Sequence, residues 1–250
     1  MYSAVFRFYG ELNDFLQRRQ RGKPIVHSFD WRASVKDMIE SLGVPHNQIN
    51  LLVVNNHPID FEAIVQDGDQ IDVYSSFDAV DLPGKVRLRP PLPRPPRFIL
   101  DVHLGRLAAY LRMMGFDTVY GPPWVHPDFP DEELAQVAHD EQRVLLTRDI
   151  GLLKRSIVTY GYWVRNTERR ARLAEIVQRF DLTDDVRLFS RCMKCNGFLH
   201  PVDKADVLDR LKPDTIHTFD VFHQCENCGK VFWKGSHVDR MQGLIDEVLG

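Results

Sequence analysis

The sequence predicts an α/β protein made of three successive parts. Residues 98–180 alternate short apolar strands with amphipathic helices, a pattern typical of a parallel sheet with helices on its faces. Residues 1–76 show a different order, in which several strands surround one helix. Beyond residue 190 the cysteines fall into two C-x2-C pairs, which indicate a module stabilised by a metal ion.

The composition is that of an ordinary globular protein. The 250 residues are 44% hydrophobic and 27% charged, enough for two or three small domains. The net charge of −3 means that any nucleic-acid site must be a local basic patch. We expect no membrane span, because no apolar run approaches about 18 residues. The N-terminus lacks the basic-then-apolar pattern of a signal peptide, and we therefore expect a cytoplasmic protein.

Residues 1–80 are predicted to form the first domain. Strands are expected at Ala4–Phe8, Pro24–Phe29, Leu51–Val54 and Ile71–Tyr74, with a helix at Ser34–Gly43. The overall order, ββαβββ with a turn at Asp67–Asp69 before the last strand, resembles the β-grasp fold of ubiquitin-like sulfur carriers. Those carriers act through a free C-terminal Gly-Gly, whereas this chain runs on through Ser75 and Ser76. The departure argues against sulfur transfer and favours a binding or regulatory module that recruits a protein partner.

Residues 81–97 are predicted to form a linker. Six prolines and five basic residues lie in PGKVRLRPPLPRPPR, which spans 83–97. Such a composition is typical of a semi-rigid extended spacer.

Residues 98–188 are predicted to form the central domain. Strands are expected at Phe98–Asp101, Thr118–Tyr120, Val144–Thr147 and Tyr162–Val164. Helices are expected at His103–Met114, Glu132–Glu141, from Asp149 through Lys154, and at Glu168–Phe180. Sites in open α/β sheets form at the carboxyl ends of the strands.

The predicted elements place three carboxylates at the edge of the sheet where the strands end. Asp101 ends the first strand, Asp131 opens the helix after the second, and Asp149 follows the third. We expect them to converge on Mg²⁺ or Mn²⁺, which prefers hard oxygen ligands and can activate water beside a phosphate. Each has a structural alternative, since Asp131 and Asp149 also suit a helix N-cap. Asp101 closes a buried strand and therefore needs a partner.

Basic residues accompany these acids. Arg106, Arg112, Arg148 and Lys154 are the candidates for contacts to a phosphate backbone. The alternative for each is an ordinary solvated charge.

Residues 189–250 are predicted to form a zinc ribbon. Cys192, Cys195, Cys225 and Cys228 supply two knuckles separated by 29 residues, and an insertion must lie between them. Four thiolates close a tetrahedral Zn²⁺ site, so the zinc is expected to be structural. The alternative is two disulfides or four unrelated thiols, which the spacing and an intracellular setting both disfavour.

Taken together, these residues resemble the Mut7-C family of PIN-like ribonucleases. In the central domain the matching stretches are Phe98–Asp101, Leu104–Ala108, Leu111–Arg112, Gly115–Asp117, Asp131–Leu134 and Leu145–Asp149. In the ribbon they are Cys192–Gly197, Cys225–Gly229 and Trp233–His237. The N-terminal part is similar to the ubiquitin-like domain often fused ahead of this module.

The resemblance implies a metal-dependent endoribonuclease that hydrolyses RNA phosphodiesters. Asp101, Asp131 and Asp149 carry over as the catalytic centre and the Mg²⁺ or Mn²⁺ ligands, with Glu132 as a substitute for Asp131. PIN-like nucleases often carry a further acid after the fourth strand. Here that region offers the neutral Asn166, followed by Glu168.

The ribbon adds candidate RNA contacts at Lys234 and His237, while Trp233 suits either base stacking or packing of the ribbon against the nuclease domain. The RNA partner is expected to be single-stranded or structured. The competing hypothesis is a module without turnover that binds RNA or a ribonucleoprotein and recruits a partner through its β-grasp domain. Asn166 is the residue that keeps this hypothesis open.

Overall fold

The computed structural model describes residues 1–120 and 130–250. Their contacts divide the chain into two compact units. The first unit comprises Met1–Leu92 and Asp149–Tyr162, and the second comprises Pro93–Arg148 and Trp163–Gly250. Within the described ranges, no helix combines the length and apolarity that crossing a membrane requires.

The first unit is built on a mixed five-stranded sheet. Its elements are β1 (Tyr2–Phe8), β2 (Ile25–Phe29), α1 (Val35–Ser41), β3 (Leu51–Val54), β4 (His57–Ile59) and β5 (Gln70–Tyr74). The strand order is β2-β1-β5-β3-β4, with β1 and β5 parallel and the other neighbours antiparallel. The predicted ββαβββ order is confirmed.

Alternating apolar residues explain why this sheet forms. Phe6 and Phe8 on β1 and Ile71 and Val73 on β5 are buried on one face, against α1. Ser34 caps α1, because its hydroxyl accepts a 3.1 Å bond from the Asp37 N–H.

A parallel sheet follows along the chain, as the strand–helix alternation predicted. The elements from residue 98 are β6 (Phe98–Leu100), α2 (Gly105–Met113), β7 (Thr118–Tyr120), α3 (Asp131–Asp140), β8 (Val144–Thr147), α4 (Ile150–Leu153), β9 (Gly161–Trp163) and α5 (Arg169–Phe180). The strand order is β7-β6-β8-β9, and β6 pairs in parallel with both β7 and β8. A 3-10 turn at Val102–Leu104 leads from β6 into α2.

Central strands of this sheet are covered on both faces. All three residues of β6 and all four of β8 are buried, which is why these strands read as continuous apolar runs. Phe98 packs edge-on against Phe116 and Phe180. The carboxyl ends of the strands therefore emerge from a fixed core.

The C-terminal part of the second unit is a small antiparallel sheet followed by a helix. Its elements are β10 (Leu199–Val202), α6 (Pro213–Thr218), β11 (Phe222–Cys225), β12 (Val231–Trp233) and α7 (Ser236–Leu249). The strand order is β10-β11-β12. A 3-10 segment at Lys204–Arg210 and helix α6 form the insertion expected between the two knuckles.

Helix α4 and the loop after it belong to the first unit. Asn47, which is 1% exposed, donates through its side-chain amide to the Leu153 carbonyl at 2.6 Å. The neighbouring Gln48 donates to the Gly161 carbonyl at 2.9 Å. Lys154 adds a 2.8 Å bond from its ammonium to the Glu40 carbonyl. The ubiquitin-like sheet domain thus holds the backbone of the segment that begins with Asp149.

Residues 81–97 contain neither helix nor strand. Arg89 donates to the Ile49 carbonyl and to the Asn50 side-chain oxygen, at 3.1 and 2.7 Å. Hydrogen bonds therefore fix part of this proline-rich segment to the first unit.

Candidate active site and metal centre

Asp101 is a buried carboxylate at the carboxyl end of β6, and its side chain is 9% exposed. Oδ1 accepts a 2.9 Å bond from the His103 N–H. Oδ2 accepts from the Thr147 hydroxyl and, at 3.1 Å, from the Arg148 N–H. The partner that a buried acid requires is thus supplied by the turn after β6 and by the end of β8. Oδ1 retains acceptor capacity beyond the single N–H that it meets.

The local sequence explains this geometry. Asp101 has extended backbone angles and caps the turn at Val102–Leu104. Thr147 is the last residue of β8, and the parallel pairing of β6 with β8 brings its hydroxyl beside Asp101. Two adjacent strand ends therefore define the position of one carboxylate.

Asp131 lies at the start of α3, where it was expected, but it is not the N-cap. Pro130 occupies the cap position, and Asp131 is the first helical residue. Asp131, Glu132 and Glu133 are all exposed within the first turn. Negative charge there is stabilised by the helix dipole.

Asp149 caps α4, as its structural alternative predicted. Its Oδ1 accepts a 2.7 Å bond from the Gly151 N–H. Asp149 belongs to the first unit, whereas Asp101 and Asp131 belong to the second. Among the described residues, the single group of three or more His, Cys, Asp or Glu ligand atoms lying within 4.8 Å of one another is the cysteine group. Convergence of the three aspartates remains a prediction.

Arg112 differs from the expectation that it contacts RNA. It is 5% exposed, and its guanidinium donates to the carbonyls of Thr118, Met193, Lys194 and Tyr120 at 2.8 to 3.4 Å. Burial lowers the pKa of Arg112, an effect that the nearby cysteines oppose. We assign Arg112 a structural role that joins α2 to the first knuckle, because its donors are directed at backbone oxygens.

The other predicted cations near the sheet are more accessible. Arg106 is exposed on the first turn of α2. Arg148 is half-buried and donates to the carbonyls of Val164, Arg165 and Asn166. Lys154 is half-buried beside the Glu40 carbonyl. Their contacts to RNA remain predictions.

The two acids described near the end of β9, Glu168 and Glu175, are both engaged in hydrogen bonds. Asn166 donates through its side-chain amide to Glu175 at 2.9 Å. Glu168 caps α5 by accepting a 2.8 Å bond from the Ala171 N–H. Hydrogen bonds from the first-turn N–H groups, that of Ala171 foremost, lower the pKa of Glu168.

The four cysteines form a compact sulfur cluster. Their Sγ atoms all lie within 4.8 Å of one another, with 3.7 Å between Cys192 and Cys228 and 3.4 Å between Cys195 and Cys225. A disulfide requires about 2.05 Å, so the disulfide alternative is wrong and the cysteines are free. In a tetrahedron with bonds of about 2.3 Å the sulfurs would lie about 3.8 Å apart, and this cluster therefore fits a four-coordinate ion.

The thiols differ in acidity. Burial raises the pKa of Cys192 to about 12. For Cys228, burial acts in the same direction, but the Lys230 N–H and the neighbouring thiols outweigh it and lower the pKa to about 7. Cys228 is the exposed member of the cluster. Its exposure and its lowered pKa both favour the thiolate form.

Lys234 and His237 are exposed at the end of β12 and the start of α7. His237 borders a cavity of about 430 Å³ whose wall also includes Phe232, Trp233 and Met241. Trp233 packs against Phe219 and Phe222 of its own ribbon, at centroid distances of 6.5 and 6.2 Å. RNA contacts of Lys234 and His237 remain predictions.

Several residues of interest were missed from the sequence. Thr147 carried a usable signal, because a hydroxyl at the end of an apolar strand seeks a partner. Asn47 carried no signal, since its partners are more than a hundred residues away.

Comparisons with known proteins agree with this architecture. Residues 96–245 match the family model described as the Mut7-C RNAse domain, and residues 1–81 match the one described as Mut7-C ubiquitin. Neither a search of curated proteins nor one of solved structures gives a significant match. The family resemblances drawn from the sequence are thereby confirmed.

Proposed function

This chain belongs to the Mut7-C RNAse domain family, and on that premise we propose that it is a metal-dependent endoribonuclease. Its substrate would be RNA, single-stranded or structured, cleaved by hydrolysis of phosphodiester bonds. Asp101, Asp131 and Asp149 would form the acidic centre.

The observation that carries the proposal is the fixed carboxylate of Asp101. Three donors from two strand ends hold it at the sheet edge where α/β proteins place their sites. These donors fix the orientation of both carboxylate oxygens. A carboxylate held in one orientation also loses little entropy when it binds a ligand.

The donor set fits Mg²⁺ or Mn²⁺, because all three candidates supply hard carboxylate oxygens. Mg²⁺ is usually held by one or two protein carboxylates, with water and substrate phosphate completing its shell. Such an ion, when bound, would activate water and neutralise charge at the phosphate. The Thr147 hydroxyl and the Arg148 N–H would keep the Asp101 carboxylate correctly oriented.

The cysteine cluster would hold Zn²⁺ in a structural role. Its four sulfurs complete a tetrahedron and leave no open position for substrate. Arg112 and Asn196 connect the first knuckle to the nuclease sheet, because Asn196 accepts a 2.9 Å bond from the Thr118 N–H. The zinc would therefore stabilise the surroundings of the acidic centre without entering the reaction. The ubiquitin-like domain would recruit a protein partner.

A cleavage assay tests the proposal. End-labelled RNA is incubated with the full chain in Mn²⁺, Mg²⁺ or EDTA, beside Asp149→Asn and the control Asp140→Asn. Asp140 is an exposed acid that accepts from Gln136 at the other end of α3. We expect cleavage only with the divalent ions, lost in Asp149→Asn and retained in Asp140→Asn, with zinc content equal in all three proteins.

RNA binding without cleavage in any metal would contradict the enzyme and support the binding-module alternative. Asn166 supports this alternative. Its neutral side chain donates a hydrogen bond to Glu175, at the position where related nucleases often carry an acid. Equal cleavage by the wild-type protein and Asp149→Asn would remove Asp149 from the acidic centre.

A further inference from the structure

A polar cleft of about 380 Å³ lies between the first turns of α2 and α5. Arg106 of α2 and Arg169 and Arg172 of α5 line it, together with Thr167. Leu107 and Leu244 complete two of its walls. Both helices begin on the side of the sheet where β6 and β9 end, so this cleft opens near the edge that carries Asp101.

The cleft carries positive charge that the protein does not neutralise. Its three guanidinium groups face one acid, Glu168, which is engaged in capping α5. Within the described parts of the chain, neither the Arg106 nor the Arg169 guanidinium has a hydrogen-bond or ion-pair partner within 4 Å, although the charge of Arg169 helps to lower the pKa of Glu168. Arg172 is held in place by bonds to the Asn166 and Thr167 carbonyls, at 3.0 and 2.9 Å. Three cations, one of them fixed by hydrogen bonds, therefore line one cleft.

Tyr110 is the second feature that points to a ligand. This residue is 6% exposed and contributes to the cleft wall. Among the described residues its hydroxyl has no hydrogen-bond partner, and that oxygen is not enclosed by protein. A buried tyrosine usually satisfies its hydroxyl. The Tyr110 hydroxyl is therefore available to donate a hydrogen bond to a ligand in the cleft.

We propose that this cleft binds a phosphate group of a nucleic-acid strand. Arginine forks match phosphate oxygens, and hydroxyls from Tyr110 and Thr167 supply further donors of the right kind. The inference rests on the proposed ribonuclease function and extends it, since it adds a phosphate-holding site beside the acidic centre. Such a site fixes the register of the strand without reading its sequence.

The phosphate has two sources, an internal phosphodiester or a terminal 5′-phosphate. The chemistry of the cleft is the same for both. Binding is therefore measured with two otherwise identical short single-stranded RNAs, one with a 5′-phosphate and one with a 5′-hydroxyl. A loss in the cleft variants that is equal for both RNAs assigns the internal group, and a loss confined to the phosphorylated RNA assigns the terminal one.

The experiment uses fluorescence anisotropy of 3′-labelled RNA in EDTA, so that metal-dependent cleavage does not consume the probe. Arg106→Gln and Arg169→Gln are each expected to weaken binding about three- to tenfold. Each is also expected to reduce the slope of log affinity against log salt by about 0.7. Tyr110→Phe keeps the ring and removes only the hydroxyl, and it is expected to weaken binding about threefold.

Arg170→Gln is the matched control. Arg170 stands beside Arg169 on the same turn, does not line the cleft, and pairs with Glu247 at 3.4 Å. Arg170→Gln is expected to leave the RNA affinity, and the slope of log affinity against log salt, near the wild-type values. Wild-type affinity and slope in Arg106→Gln and Arg169→Gln would overturn the proposal, as would an equal loss in Arg170→Gln or a wild-type protein that binds neither RNA.

The same proteins are assayed for cleavage in Mn²⁺, which separates the two hypotheses. Cleavage by the wild-type protein with unaltered binding in the arginine variants would overturn the phosphate cleft alone. Arginine-dependent binding without cleavage would support the cleft and contradict the ribonuclease.

Discussion

The guanidinium of Arg112 donates a 3.0 Å hydrogen bond to the carbonyl of Lys194, inside the first cysteine knuckle. A second bond reaches the Met193 carbonyl at 3.2 Å. The Met193 and Lys194 carbonyls lie outside the strands of the ribbon. The buried guanidinium of Arg112 on α2 supplies their hydrogen-bond donor. Arg112 is therefore shared by the α/β sheet domain and the ribbon, beside the link that Asn196 makes to Thr118.

Arg112→Met is predicted to destabilise the protein by about 3 kcal/mol. Methionine fills much of the same space but removes every donor, leaving buried carbonyls unsatisfied. Urea unfolding measures the change, and Arg170→Gln controls for the loss of a surface arginine. A midpoint for Arg112→Met equal to that of the control would show that water replaces the lost bonds.

Stability is predicted to fall in acid partly through Asp117. Burial raises the pKa of this carboxyl, but the 2.7 Å ion pair with Arg143 and the bond from Asn196 outweigh it and hold the pKa below its usual 3.8. A group with a depressed folded-state pKa stabilises the protein above its unfolded pKa. That contribution is lost as the pH falls through the lower, folded value.

Asp117→Asn is therefore expected to be less stable than the wild-type protein at neutral pH, by about 3 kcal/mol, because Arg143 is left buried with one fewer partner. The difference should shrink as the pH drops below about 3.8. The free energy of unfolding of both proteins, measured over a pH series, gives this difference, and Asp140→Asn serves as the control. A gap that stays constant down to the lowest pH would contradict this role.

Thr147 is predicted to act as a positioning residue for Asp101. Removing its hydroxyl in Thr147→Val should lower the single-turnover cleavage rate about tenfold while leaving RNA affinity unchanged, because the carboxylate loses one of its three donors. Thr147→Ser keeps the hydroxyl and should restore most of the rate. Equal losses in the valine and serine variants would indicate a packing defect instead.

Asn47 is predicted to influence cleavage from within the ubiquitin-like domain. Its amide bonds the Leu153 carbonyl and, at 3.4 Å, the Val158 carbonyl, which fixes the segment that follows Asp149. Asn47→Ala should therefore lower the cleavage rate and speed amide hydrogen exchange in residues 150–158. Normal exchange there with reduced cleavage would show that the domain acts in another way.

The division into sheets and helices was predictable because local patterns determine it. Continuous apolar runs identified β6 and β8, and alternation with Gly and Asp turns identified β5. The cysteine spacing identified the metal cluster for the same reason, since two knuckles can aim four sulfurs at one point.

Long-range side-chain bonds account for what was missed. Arg112 looked like any helical arginine, and only the approach of the knuckle shows that it is buried. Asp131 suited a cap by residue type, but Pro130 takes that position, with φ −59° and ψ 138°, and Asp131 becomes the first helical residue. The contact of Asn47 with residues beyond 150 depends on packing that no local pattern records.

The measurement that tests the central claim most directly is single-turnover cleavage of end-labelled RNA in Mn²⁺ by the wild-type protein and Asp101→Asn. Asparagine preserves the size of the side chain and removes its charge, so the fold and zinc content should be equal in both. The account predicts a loss of at least about 100-fold in Asp101→Asn, because a carboxylate that binds the ion contributes several kcal/mol. Equal cleavage rates in the two proteins would contradict it.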